Sequence, residues 1–379
     1  MDYAMQNSRV LSMIIVLCSL IYTTPSPASS TKIDQKLEST VQTLIDEYKI
    51  PGVVIGLWIP NKVEWVAALG VADKKTKEKM SITDHFRIGS LTKLFTVTAL
   101  LQLSDQGKVS LDDKIGKYIQ NVPNGDKITL RQLANMTSGL PSYTENEAWV
   151  KEMLKGKNRQ WQPQELLDVA FSMPLLAKPG KKFHYCNTNT ILLGLVIEKV
   201  SGMSLGEYFK KNIFNPLTLS NTSFPLDNKM PEPFAHGYSV QTLTNVEEDV
   251  SLNNPSWGFA AGQLISNLED LKIWAEALGT GELLSKKAFK ERLTWLTIPP
   301  NTKSKKYGLG IGFNNGWLMH TGELPGYNSV VAYLPEEKGI FVCLVNSDIP
   351  IKIKDKDVSP ANLIFESIAK IAFPKHTPE

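Results

Sequence analysis

Ser90 and Lys93 stand one helical turn apart at the head of a long apolar segment, a placement that can make a nucleophile. Phe86-Arg87-Ile88-Gly89 leads straight into Leu91–Gln106, whose spacing predicts a helix with Gly107 as its C′ residue. The serine therefore sits at a helix N-terminus, where the dipole favours a developing alkoxide. An enclosed lysine loses hydration in its charged form, so its pKa falls and it can take the serine's proton. An ordinary N-cap serine with a surface lysine would leave the same letters. Two other pairs share the spacing: Ser29 with Lys32 at the leader joint, and Ser367 with Lys370 on the terminal helix.

Tyr185-Cys186-Asn187 follows the turn Lys178-Pro179-Gly180 and precedes a predicted helix. A phenol passes protons only if a cation stabilises its phenolate, because its reference pKa is near 10. Lys93 would supply that charge. The amide of Asn187 would orient the lysine or hold a substrate carbonyl. A buried tyrosine beside a turn asparagine is the competing reading.

His320-Thr321-Gly322 closes a predicted strand and is followed by Glu323-Leu324-Pro325-Gly326. A glycine lets substrate come close to the strand, and the next backbone N–H can face a bound carbonyl. The N–H groups of Ser90 and Glu323 together would make an oxyanion hole, and losing such a donor costs ~10²–10³ in rate. A strand-end histidine with a purely structural role is the alternative here.

These three patterns need a frame that gathers them. Thr31–Tyr48 has helical spacing, and Val53–Ile59 with Val63–Leu69 reads as an antiparallel hairpin across Pro60-Asn61-Lys62. Thr129–Gln132 and Ser266–Glu269 both fit a capping box. Pro163 fits the first position of a helix through Phe171, and Thr188–Val200 forms another that stops at Ser201-Gly202. From Tyr307 the period returns to strands: Tyr307–Phe313, Trp317–Thr321, Ser329–Leu334 and Gly339–Asn346, before an amphipathic helix over Ala361–Phe373. Strands at both ends with helices between predict an α+β fold. Its antiparallel sheet is flanked by N- and C-terminal helices and carries an inserted all-helical domain. The expected limits are 29–105 with 265–379 for the α+β domain and 106–264 for the insert, after a signal peptide over 1–28.

Composition narrows the function. Of 379 residues, 42% are hydrophobic and 21% charged, enough for a packed core and unlike disordered or collagenous chains. A net charge of +3 without a basic stripe gives no reason to expect nucleic acid. His85, His184, His236, His320 and His376 show no metal-ligand spacing, and no phosphate loop, Gly-x-Ser-x-Gly elbow or paired-cysteine motif occurs. No metal site and no cofactor are expected.

Residues 1–28 read as an export signal: Arg9, the apolar run Val10–Tyr22, and small residues Ser26 and Ala28 before a cut after Ala28. The run is shorter than the ~20 residues of a membrane span, so no stable span is expected and the place is periplasmic or secreted. Cys18 falls in the leader, and Cys186 and Cys343 are expected to behave as lone buried residues rather than as a disulfide.

Taken in order, the serine–lysine pair, the Tyr-x-Asn triplet and the His-Thr-Gly strand resemble the serine penicillin-recognising family of DD-peptidases, β-lactamases and related esterases. The likeness extends over residues 45–350. Ile50–Val54, Gly70–Asp73, Leu133–Pro141 and Ala261–Ser266 all look like family segments. The resemblance implies Ser90 as nucleophile, Lys93 and Tyr185 as its proton shuttle, and Asn187, His320, Thr321, Gly322 and Glu323 as substrate-positioning residues. Trp257 either lines the cleft or packs in the core. Tyr-x-Asn is similar to the class C β-lactamases, the exported D-Ala-D-Ala carboxypeptidases and the β-lactamase-like esterases; His320 in place of lysine favours the latter two. The expected activity is D-Ala-D-Ala carboxypeptidase on cell-wall peptides, with β-lactamase or esterase as alternatives. A silent scaffold binding wall fragments or a partner is the non-enzymatic one. Two departures bear on substrate. Gly312 stands where the carboxypeptidase pattern has an arginine for the terminal carboxylate. Glu323 stands where it has a small hydroxyl residue, and an ionised acid there repels a carboxylate.

Overall fold

The strand-forming runs at the two ends of the chain are apolar on both faces, so they must be covered twice. In the computed structural model, which describes residues 32–299 and 304–378, they are. The expected signal peptide and Ser29 lie outside the described residues. The sheet takes β1 (Gly52–Ile59) and β2 (Val63–Gly70) from the N-terminal side. From the C-terminal side come β3 (Leu296–Thr297), β4 (Lys305–Tyr307), β5 (Gly312–Asn314), β6 (Trp317–Leu324), β7 (Tyr327–Leu334) and β8 (Gly339–Val345). All eight are antiparallel to their neighbours in the order β2-β1-β8-β7-β6-β5-β4-β3. The join is β1 on β8, with Val53 opposite Val345 and Trp58 opposite Ile340, so both ends of the chain build one layer.

Alternation decides which side chain goes where. Val53, Ile55 and Leu57 of β1, with Phe341 and Cys343 of β8, pack under α1 (Lys32–Tyr48) and the terminal helix Pro360–Ala372 through Leu37, Val41, Ile364 and Phe365. Val54 and Trp58, with Val342 and Leu344, face the larger core, which includes α2 (Thr92–Asp105) and the helix Leu268–Thr280. Residues from Gln106 to Leu264 run mainly through helices and long connections, including Pro163–Phe171 and α3 (Asn187–Ser201), which ends on Gly202 in the left-handed region. This is the expected α+β architecture. Among the described residues no helix is long and apolar enough to cross a membrane.

Three local readings change. The segment Tyr307–Phe313 is not one strand: β4 stops at Tyr307 and β5 begins at Gly312. Between them Gly310, at φ +63°, turns the chain so that its N–H reaches the Ala134 carbonyl at 2.9 Å. The helix at 268 is capped by Asn267, whose Oδ1 accepts from Asp270 N at 3.1 Å, and not by a box on Ser266. The short strand β3 carries too few residues for a period to show. Cys186 and Cys343 are both buried and unpaired, as expected, while the box at Thr129 and Gln132 forms in both directions.

Candidate active site

Ser90 sits in a single 3-10 turn, Gly89–Leu91, that leads into α2. The turn is pressed against β6. Gly89 has φ +53°, and a Cβ on it would fall 2.7 Å from the Glu323 backbone nitrogen. A Cβ on Gly322 would fall 2.0 Å from the Ile88 carbonyl oxygen. No side chain fits at either place, and this approach is what brings the N–H of Glu323 beside the serine turn. Ser329 Oγ donates to the same Ile88 carbonyl at 3.1 Å, which ties the turn to β7.

One helical turn on, Lys93 points back at the serine. Its Nζ donates to Ser90 Oγ at 2.7 Å and to the Ala261 carbonyl at 2.9 Å, and the residue is 0% exposed. Burial without a carboxylate partner disfavours the ammonium and brings its pKa down to about 7. A lysine in that state can hold or release a proton at neutral pH, which an exposed lysine cannot.

Tyr185 closes over this pair, with Lys93 Nζ 4.9 Å from its ring centroid. Its ring edge is open to the cleft, while the protein packed around it pushes its hydroxyl pKa upward, an effect the Ser90 hydroxyl partly offsets. Asn187 opens α3. Its backbone N–H donates to Ser142 Oγ at 3.2 Å and its amide Nδ2 to Thr144 Oγ1 at 3.0 Å, so Thr144 rather than Lys93 fixes the amide.

His320 comes in from β6, with its ring 6.0 Å from that of Tyr185. Its Nδ1 lies 2.6 Å from the Thr321 carbonyl oxygen and its Nε2 lies 3.3 Å from the Tyr307 hydroxyl. A carbonyl can only accept, so Nδ1 carries the hydrogen and Nε2 accepts from Tyr307. Burial and the charge on Lys93 hold its pKa at about 4, and the ring is a neutral imidazole. Thr321 faces a cavity of about 350 Å³ that also borders Tyr185, His320, Tyr307, Lys305 and Lys306. Beyond Met319 the outer edge of β6 has no strand partner among the described residues, because β5 pairs only with Trp317–Met319.

The predicted residues thus gather from separate elements: Ser90 and Lys93 from α2 and its lead-in turn, Tyr185 and Asn187 from the entry to α3, and His320–Glu323 from β6. Ser367 does not take part; its hydroxyl donates to the Leu363 carbonyl within the terminal helix at 2.8 Å. Trp257 does both things expected of it. It packs on Trp149, at 6.2 Å between ring centroids, and lines a smaller cavity with Arg87, Trp161, Leu324 and Pro325. Sequence reasoning missed Tyr307, Ser142, Thr144 and the Ala261 carbonyl. The signals were faint: Ser142 and Thr144 follow Gly139-Leu140-Pro141, Tyr307 precedes Gly308-Leu309-Gly310, and Ala261 opens a segment already noted for its likeness. Among the described residues no three His, Cys, Asp or Glu side chains stand close enough to hold a metal ion.

Comparison with known proteins bears on this arrangement. A family model described as Beta-lactamase matches residues 37–359. The fold is similar to that of a D-stereospecific amidohydrolase from Streptomyces sp., with 31% identity, TM-score 0.78 and coverage of 91% of this chain and 98% of that one. It is also similar to a D-amino acid amidase from Ochrobactrum anthropi SV3, with 25% identity, TM-score 0.76 and coverage of 89% and 97%. Protein flp of Staphylococcus aureus (strain MRSA252) is 27% identical over 320 residues, 82% of this chain, which spans about 62% of the length of that curated relative.

Proposed function

The chain belongs to the β-lactamase family of serine-type hydrolases, and from that premise we propose that it cleaves amide bonds next to D-configured residues through an acyl-enzyme on Ser90. The observation that carries this is the 2.7 Å contact between Ser90 Oγ and a lysine held near neutrality inside the protein. Ser90 loses its proton to the Lys93–Tyr185 pair as its oxygen bonds to the substrate carbonyl carbon. The negative oxygen is received by the N–H groups of Ser90 and Glu323. Tyr185, at the border of the cavity, returns the proton to the leaving nitrogen as the amide bond breaks. Water then attacks the ester, and the same groups pass its proton back to Ser90 Oγ. Lys93 and Tyr185 titrate as a coupled pair in both halves.

The finer reading is a D-Ala-D-Ala carboxypeptidase-like peptidase acting outside the cytoplasm, in the periplasm or after secretion. Gly312 supplies no cation for the terminal carboxylate, but Lys305 and Lys306 line the cavity next to Tyr185 and Thr321 and supply positive charge on the leaving-group side. The names of the Streptomyces and Ochrobactrum proteins support a D-configured acyl residue. A β-lactam or small ester would meet the same machinery but would leave the charged end of the cavity unused. Asn187, His320 and Thr321 position substrate, and Trp257 borders the acyl side. Turnover of D-alanyl-D-alanine by the purified mature chain, abolished in Ser90→Ala, is the expected result. Wild-type turnover in Ser90→Ala would sink the assignment.

A further inference from the structure

Glu323 is the charged side chain of β6, and it stands at the point where substrate must pass. The free edge over His320–Leu324 lets a substrate backbone lie alongside as an added strand. Its direction follows from the cavity. The leaving group enters the space bordered by Thr321 and Tyr185, and the oxyanion meets the N–H of Glu323, so the acyl half runs on past Glu323 toward Leu324 and Pro325. With ~3.4 Å of rise per strand residue, the nitrogen on the acyl α-carbon comes abreast of the Glu323 carbonyl and carboxylate. The carboxylate is exposed to the cleft. Its hydrogen-bond partner is the Asn328 amide, donating from Nδ2 at 3.4 Å, and the charge acting on it is another acid, Asp348. Partial enclosure and Asp348 push the carboxyl pKa upward, a cost that an incoming ammonium would relieve.

We infer that Glu323 selects substrates whose acyl D-residue carries a free α-ammonium. The substrate class is then the short D-peptide or D-amino acid amide with an unblocked amine, in place of a chain acylated at that nitrogen. This rests on the acyl-transfer reading of Ser90 and narrows it. The carboxylate and the Glu323 carbonyl together form charge-assisted hydrogen bonds to the ammonium, and an N-acetyl group removes both the charge and two of the donors.

The test compares kcat/KM for D-alanyl-D-alanine and N-acetyl-D-alanyl-D-alanine in the full chain and in Glu323→Gln and Glu323→Asp. A fluorophosphonate label on Ser90 reports a formed site. The wild type is expected to favour the free amine at least tenfold; Glu323→Gln should shrink that ratio about tenfold, and Glu323→Asp, which keeps the charge, should retain most of it. An unchanged ratio in Glu323→Gln, or a wild-type preference for the acetylated dipeptide, overturns the role of Glu323 alone. Hydrolysis of neither dipeptide by a protein that still takes the label overturns the peptide reading and this inference together.

Discussion

The Tyr307 hydroxyl lies 3.3 Å from His320 Nε2 and so fixes which nitrogen of the imidazole carries hydrogen. With Nδ1 committed to the Thr321 carbonyl, the ring is a neutral spacer beside Tyr185 and contributes no positive charge to the cleft. Lys93 is thereby left as the cation that faces the phenol.

Tyr307→Phe tests that relationship. Nitrogen-15 NMR of the wild type should show one neutral tautomer of His320, hydrogen on Nδ1, from pH 5 to 8. The variant should admit the other tautomer and lose activity about threefold to tenfold, mainly in kcat. An unchanged histidine spectrum would show that Tyr307 only fills space.

Lys93 sets the pH dependence. Its folded pKa of about 7 means that the neutral amine which accepts the serine proton appears as pH rises through that value. The rate of fluorophosphonate labelling of Ser90 should therefore climb between pH 6 and 8 and level off above. Lys93→Ala should lower it by ~10² or more.

The same shift makes Lys93 a burden on stability. Its pKa is lowered on folding from 10.5, so between about 7 and 10.5 the unfolded chain binds the extra proton and stability rises with pH. Below that window the cost is fully present, up to about 5 kcal/mol for a shift of this size. Lys93→Met should raise the melting temperature more at pH 6 than at pH 9, while abolishing labelling. A larger gain at pH 9 would contradict the burial account.

Gly322→Ala probes the closeness of the serine turn to β6. The added methyl would sit 2.0 Å from the Ile88 carbonyl oxygen, which is backbone and cannot swing aside. We expect a loss of about 1–3 kcal/mol in stability from overpacking. Labelling at Ser90 should fall at least ~10²-fold, because the Glu323 N–H no longer lines up with it.

Lys305 and Lys306 report on the leaving group. Replacing both with Met should raise KM for D-alanyl-D-alanine about tenfold but leave that for D-alaninamide, which has no leaving carboxylate, within twofold. The wild-type KM for the dipeptide should also rise with salt, since these side chains are partly exposed and open to screening. Equal effects on both substrates would place the carboxylate elsewhere.

Much of this molecule is legible in the letters. The apolar alternation of Val53–Ile59 and Gly339–Val345 reveals strands because each side chain reports its own face. Ser90-Leu91-Thr92-Lys93 reveals its chemistry because a helix turn is a local rule. Tyr307–Phe313 misleads because its alternation continues through a turn that is held by distant partners, Ala134 and Arg292.

What belonged to the sequence alone was therefore residue identity, local periodicity and the order of three patterns. Tertiary structure decided which of those groups carry charge. Lys93 falls to about 7 and His320 to about 4 because chain from α2, the entry to α3, the Ala261 segment and β6 closes over them and shuts out water. Desolvation sums over every atom nearby, whatever its place in the chain, so no reading of neighbours in sequence contains it.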